Sequence, residues 1–182
     1  MQALVIYIIV LILPSRHQNA IPALDPSIFA NLQQVVYYSA STGLVLHQEA
    51  DVIPAWESWT HITSKNRAVL TLYLLHWSYS VYHHLPSFNC EELGFLPAPT
   101  AKFLWQASCK DQWEALYKRW LNKWEGCEYL QGEFNDVKPG VILDPRTQMW
   151  LEDADELGIL FLSIGKFSSL VLGFELIKGV LV

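Results

Sequence analysis

Charge is scarce in this 182-residue chain, at 16% of residues, and its balance is acidic, with a formal net charge of −6. A chain that binds nucleic acid unaided carries a basic patch that displaces counterions from phosphates. Here Lys and Arg are scattered, and only Lys118, Arg119 and Lys123 come near to clustering, at a spacing that reads as the wet face of a helix. The chain by itself is therefore not expected to grip DNA. Cysteine is scarce too: Cys90, Cys109 and Cys127 are odd in number and no Cys-x-x-Cys occurs. That argues against a disulfide framework and against a zinc site, and it fits buried thiols in a reducing compartment. Also missing are G-x-G-x-x-G, the P-loop, G-x-S-x-G and H-E-x-x-H, the local signatures of nucleotide binding, α/β-hydrolase chemistry and zinc proteolysis.

Long apolar runs are few. Ala3 to Leu13, ended by Pro14, is too short to span a bilayer. It reads as a buried helix, with a signal-peptide core as the alternative, although no Lys or Arg precedes it and no clear small-residue cleavage site follows. Leu157 to Val182 is broken by Lys166, Glu175 and Lys178, which makes it a poor membrane span.

What the chain does have is apolar and aromatic mass. Apolar residues make up 52%, which excludes a disordered tail, and the eight Trp require an interior to hold them. The punctuation predicts helices joined by short loops. Asp25-Pro26 is an N-cap with proline at the first helical position; Ile28, Leu32, Val35 and Val36 follow at helical spacing, and Gly43 is the stop. Pro54 opens a long helical region reaching His84, with Val69, Leu70, Tyr73, Leu74, Trp77 and Val81 on one face, and strand as a lesser alternative for Ala68 to Tyr82. Ser87 to Thr100 reads as a loop in which Asn89-Cys90-Glu91-Glu92 has capping-box spacing. Leu96-Pro97-Ala98-Pro99 cannot continue a helix, and Thr100 and Ser108 are candidate caps for the next two.

The clearest helix is Cys109 to Glu125, where Trp113, Leu116, Tyr117, Trp120, Leu121 and Trp124 form one wide stripe and Gly126 is the stop. Such a stripe reads as core. A short helix is expected around Glu128 to Phe134, a turn at Pro139-Gly140, and a last helix from Asp144-Pro145 through Met149, Trp150, Ala154, Leu157 and Leu160.

Three sets of residues could carry chemistry. His76, His83 and His84 lie on one side of a helix, with Glu91 and Glu92 as possible carboxylates, but two turns is too far to share one ion without another ligand; packed or surface histidines are the plainer reading. Cys90 follows a candidate Asn89 cap that could lower a thiol pKa, against the plainer reading of a buried structural thiol. Glu152-Asp153-Ala154-Asp155-Glu156 reads as solvated acids on a polar helix face, with contact to a partner protein as the functional alternative. No residue is assigned a catalytic, cofactor-binding or metal-binding role.

Several segments together resemble the fungal-specific transcription factor regulatory (middle homology) domain, which lies C-terminal to zinc-finger or binuclear zinc-cluster DNA-binding domains. Gln2-Ala3-Leu4-Val5-Ile6-Tyr7 is similar to that family's "QALLIY" helix, and Trp56-Glu57-Ser58-Trp59 with Ser64-Lys65-Asn66-Arg67 to its "W-x-x-W … SxxR" element, with Asn66 in place of one of two basic residues. Pro86 to Trp124 resembles it most. That stretch holds Phe88-Asn89-Cys90-Glu91-Glu92-Leu93, Leu96-Pro97-Ala98-Pro99, Leu104-Trp105-Gln106-Ala107 and Trp113-Glu114. Pro139-Gly140 and Trp150-Leu151-Glu152 fit as well.

The resemblance implies an all-α, irregular multi-helix domain in a nuclear regulator of transcription by RNA polymerase II. It implies partners in the transcription machinery or a dimer partner, no membrane, and DNA contact only through a domain outside this chain. No cofactor is expected here, zinc belonging to that other domain. Residues 1–164 are expected to be a partial regulatory domain, Met1 falling where the family would be in mid-domain. Residues 165–182 form an unmatched apolar tail. Because GGT-AAG-TT(T/C), which encodes Gly165-Lys166-Phe167, contains the intron start GTAAGT, the tail is expected to be translated intron. A secreted or membrane-attached helical protein is the competing reading, and a helical enzyme the third.

Overall fold

The computed structural model describes residues 2–12, 21–41, 43, 53–85, 93–125, 127–138 and 140–163. Among them the chain is all-α, with helices and no β-strand, and it divides into two compact units. The loop around Asn89 to Glu92, Cys90 included, the stop at Gly126, Pro139 of the expected turn, and the tail at 165–182 lie outside the described residues.

The first unit contains α1 (Gln2–Ile12), α2 (Pro26–Ser41) and α3 (Trp56–Tyr82), with both α1 and α2 packed on α3. The expectation of a buried first helix holds for one face only. Ile8 and Ile12 are buried, while Ile6, Tyr7 and Val10, on the opposite side, are each about 60% exposed (62%, 59% and 64%). α2 starts as its sequence dictates: Asp25 Oδ1 accepts from the Ser27 N–H at 2.8 Å, satisfying a first-turn donor that has no intrahelical partner. Phe29, Leu32 and Val36 are its buried positions, so the stripe is rotated from the predicted one, and Val35 is exposed. Gly43, beyond the last turn, has φ +90°, the left-handed conformation that glycine adopts without a Cβ penalty.

α3 runs 27 residues and is helix throughout, Ala68 to Tyr82 included. Thr60, Thr63 and Thr71 turn their hydroxyls back to the carbonyls of Trp56, Trp59 and Arg67 at 2.6–2.8 Å, which lets Thr63 be buried without an outside partner. The predicted core face is only partly the observed one. Val69 and Leu70 are buried, but Val81 is exposed, and Trp59, Thr63, Asn66, Ala68, Leu72, Tyr79 and Ser80 are buried as well. Packing on two sides, by α1 and by α2, rotates burial around the helix, and no single stripe encodes that.

The second unit contains α4 (Lys102–Trp105), α5 (Lys110–Trp124), a 3₁₀ helix (Gln131–Asp136), α6 (Pro145–Asp153) and α7 (156–163). α5 is the predicted stripe: Trp113, Tyr117, Trp120 and Trp124 are buried, with Trp113 fully enclosed. Its ends differ from expectation. Cys109 is the N-cap residue, and Ser108 instead donates its N–H and hydroxyl to Gln112 Oε1 at 2.8 and 2.9 Å. Glu125 takes the left-handed position (φ 49°) expected of Gly126. Thr100 does not cap α4 either; Ala101 precedes that helix, and the Thr100 hydroxyl accepts from the Trp105 indole at 2.9 Å.

The proline-bounded segment Leu96 to Pro99 is extended and pairs with residues 129–132. Ala98 N–H donates to the Tyr129 carbonyl and Gln131 N–H to the Leu96 carbonyl, each at 2.8 Å. α6 is capped by Asp144, whose Oδ1 accepts from the Arg146 and Thr147 N–H groups at 2.9 and 3.0 Å, with Pro145 in the first turn. The single last helix expected from Asp144 is two helices. Ala154 is extended (ψ 144°), and Asp155, itself buried, caps α7 by accepting the Gly158 N–H at 2.9 Å.

Candidate functional site

α5 ends where the chain must turn back toward α6, and its last two Trp form a wall. The Pro97–Leu130 pairing brings Pro99 and Tyr129 against that wall, and α6 supplies Trp150. The result is a small cleft lined by Pro99, Trp120, Trp124, Tyr129 and Trp150, with two carboxyl residues, Glu128 and Asp153. It has room for about one water molecule, far below what an organic substrate needs.

Its polar parts are fixed around that core. Trp150 Nε1 donates to the Pro99 carbonyl at 3.2 Å, and the Tyr129 hydroxyl shares a 2.7 Å hydrogen bond with Thr147 Oγ1. Burial, only partly offset by the bond to Thr147, pushes the Tyr129 phenol up to about 12. Arg146 lies 5.4 Å from the Trp124 ring centroid and donates to the carbonyls of Cys127 and Glu128 and to both Glu133 carboxylate oxygens. Burial pushes the Glu128 carboxyl up to about 7, so it exchanges its proton near neutral pH. That is the property of a general acid or base, but the cleft offers no space for a reacting group beside it.

The other candidates are dispersed. His76 stacks on Phe29, ring centroids 4.1 Å apart and 14° from parallel, and burial pushes it down to about 4. His83 packs on Tyr79 and Tyr82, and His84 is at the surface. Among the described residues no group of His, Cys, Asp and Glu converges as metal ligands; Cys90, Glu91 and Glu92 are outside those residues. Cys109 and Cys127 are exposed free thiols, not the buried ones expected.

The acidic run is the clearest correction. Read as solvated acids on one helix face, Glu152 and Glu156 do lie mostly in water, but Asp153 and Asp155 are drawn in and tie elements together. Lys123 Nζ reaches Asp153 at 2.6 Å, Glu152 at 3.1 Å and the Met149 carbonyl at 3.1 Å; Asp155 caps α7; and Glu156 pairs with Lys102. Lys123 thus leaves the wet face on which Lys118 and Arg119 remain. The Glu128 cleft was missed in the sequence, where Glu128 stood only as the start of a short helix.

Among the described residues no helix is long and apolar enough to cross a membrane. No protein-family model matches the chain, and neither a curated protein nor a solved structure matches it.

Proposed function

We propose that the chain is a regulatory-domain segment of a nuclear, zinc-finger-type regulator of transcription by RNA polymerase II. It acts through contacts with other proteins and reaches DNA only through a separate domain. It is a regulator, not a catalyst. The observation that carries this reading is where the resemblance residues lie. Leu96 and Ala98 of the Leu-Pro-Ala-Pro element, Leu104, Trp113 and Trp150 are distant in sequence, yet all are buried in the second, all-helical unit. Apolar residues that share an interior hold a fold together and carry no chemistry of their own. The acidic balance of the chain supports the division of labour, since phosphate binding needs the opposite sign.

The test is to fuse the full chain to an unrelated DNA-binding domain and read a reporter gene placed behind its operator. The fusion is expected to raise or lower transcription several-fold, and Trp113→Ala, which empties the core, is expected to abolish the change. A folded, nuclear fusion that leaves the reporter unchanged overturns the reading. Loss of about 20 N-terminal residues on expression in a secreting host would replace it with the secreted one.

A further inference from the structure

α1 is apolar on both sides, and its own chain covers only one. The helix packs on α3; Ile8 and Ile12 are buried, and Leu4, Val5, Ile9 and Leu11 are half-buried. Ala3, Ile6, Tyr7 and Val10 stay exposed, the last three at 62%, 59% and 64%. These four fall on one side of the helix, at the spacing with which two helices mesh. A helix that is apolar all round is ordinarily enclosed on all sides. We propose that this outward stripe is an interface between two copies of the chain, the two α1 helices lying antiparallel about a two-fold axis.

The symmetry of the stripe selects a second copy. Reversing the helix carries position 3 onto 10 and position 6 onto 7. Ala3 then meets the partner's Val10, small against large, and Ile6 meets the partner's Tyr7. A two-fold contact requires this kind of self-match. Charge agrees. The chain carries a net −6, yet no residue from Gln2 to Ile12 is charged, so the stripe is a place where two acidic copies can meet without like charges opposed. A lipid surface is held by helices with Lys and Arg on their polar face, and α1 has neither. The area is modest. Three side chains, each about 60% exposed, fall short of the ~800 Å² per partner that a stable interface buries, so the dimer forms and dissociates with concentration.

The experiment is sedimentation velocity on the full chain from ~1 μM to ~1 mM, the span that separates a firm contact from a weak one. The wild type is expected to pass from monomer to dimer within that span. Val10→Glu, which sets a charge in the seam, is expected to weaken the association ~10-fold or more. Adding Ala3→Lys to V10E is expected to restore part of the loss, because position 3 faces the partner's position 10 only in the antiparallel pair. A wild type that stays monomeric throughout overturns the proposal and leaves the stripe to a different protein or to lipid. So does V10E associating as tightly as the wild type, or a double variant weaker than V10E. Should V10E lose its helical circular dichroism, hydrogen exchange of the wild type decides instead. Amides of residues 2–12 that gain protection as concentration rises uphold the pairing, and unchanged protection there removes it.

Discussion

The Arg146 guanidinium grips Glu133 through two hydrogen bonds, Nε to Oε2 at 2.8 Å and Nη2 to Oε1 at 3.0 Å, while lying 5.4 Å from the centroid of the Trp124 ring. Fork and stack together join α6, the 3₁₀ helix and the end of α5. A lysine keeps the charge but loses the planar fork. Arg146→Lys is therefore expected to cost roughly 1–2 kcal/mol in denaturant unfolding, more than an ordinary exposed ion pair. An unchanged midpoint would show the pair to be solvated and idle. The Arg146 hydrogen bonds hold the Glu133 carboxyl below its usual value. Its contribution is thus present above the unfolded value of 4.5 and lost as pH falls through the lower folded one; Glu133→Gln should flatten that acid limb.

α3 ends in a Schellman turn built on a histidine. Leu85 N–H donates to the Ser80 carbonyl at 2.8 Å and His84 N–H to the Val81 carbonyl at 3.3 Å, with His84 at φ 54°. An L side chain in that conformation costs roughly 1–2 kcal/mol, and glycine avoids most of the cost. His84→Gly is expected to raise stability by about 1 kcal/mol; a thermal midpoint that falls would mean the imidazole contributes something that its exposure does not suggest.

His76 gives the first unit a pH dependence of definite sign. Its folded pKa, about 4, lies below the ordinary imidazole value of 6.5, because burial against Phe29 disfavours the imidazolium. The unfolded chain takes up the proton first, so stability is complete above pH 6.5 and falls as pH drops toward 4. Because the ring is only half-buried, solvent screening keeps the loss below the ~3 kcal/mol that the full shift would give. Unfolding of His76→Phe, followed across that window, should lose this component of the slope whatever its stability at pH 7. The same slope in both proteins would place the proton elsewhere.

Gly158 faces the Trp150 ring so closely that a Cβ there would stand 2.8 Å from Cζ2 and 2.9 Å from Cη2. A helix interior ordinarily gains from Gly→Ala, but here the added methyl must displace a buried indole. Gly158→Ala is expected to destabilise by roughly 1–3 kcal/mol, with part of the loss recovered in a double mutant with Trp150→Phe. Additive losses in that cycle would mean the ring yields freely.

Chain-local features were legible. The Asp25 and Asp144 caps, the α5 stripe and the stop near His84 depend on contacts a few residues apart, and each is where its residue types point. Less legible were features that depend on distant partners. Thr100 is chemically a good cap, yet its hydroxyl meets the Trp105 indole. Asp153 resembles any solvated acid until Lys123, thirty positions away, is brought to it. Asn66, where the resembled family often has a basic residue, is buried, its Oδ1 without a partner among the described residues, and nothing local announces that.

The amino-acid order alone determined that this protein is helical and Trp-cored, because helical periodicity and capping are short-range effects carried by neighbouring residues. Only the tertiary structure decided that Glu128 lies among four aromatic rings and that the acidic run ties elements together. It also decided that Ala154 breaks the last helix into two. Each depends on desolvation or on a partner from another element, and burial is a property of the folded surroundings, not of the residue.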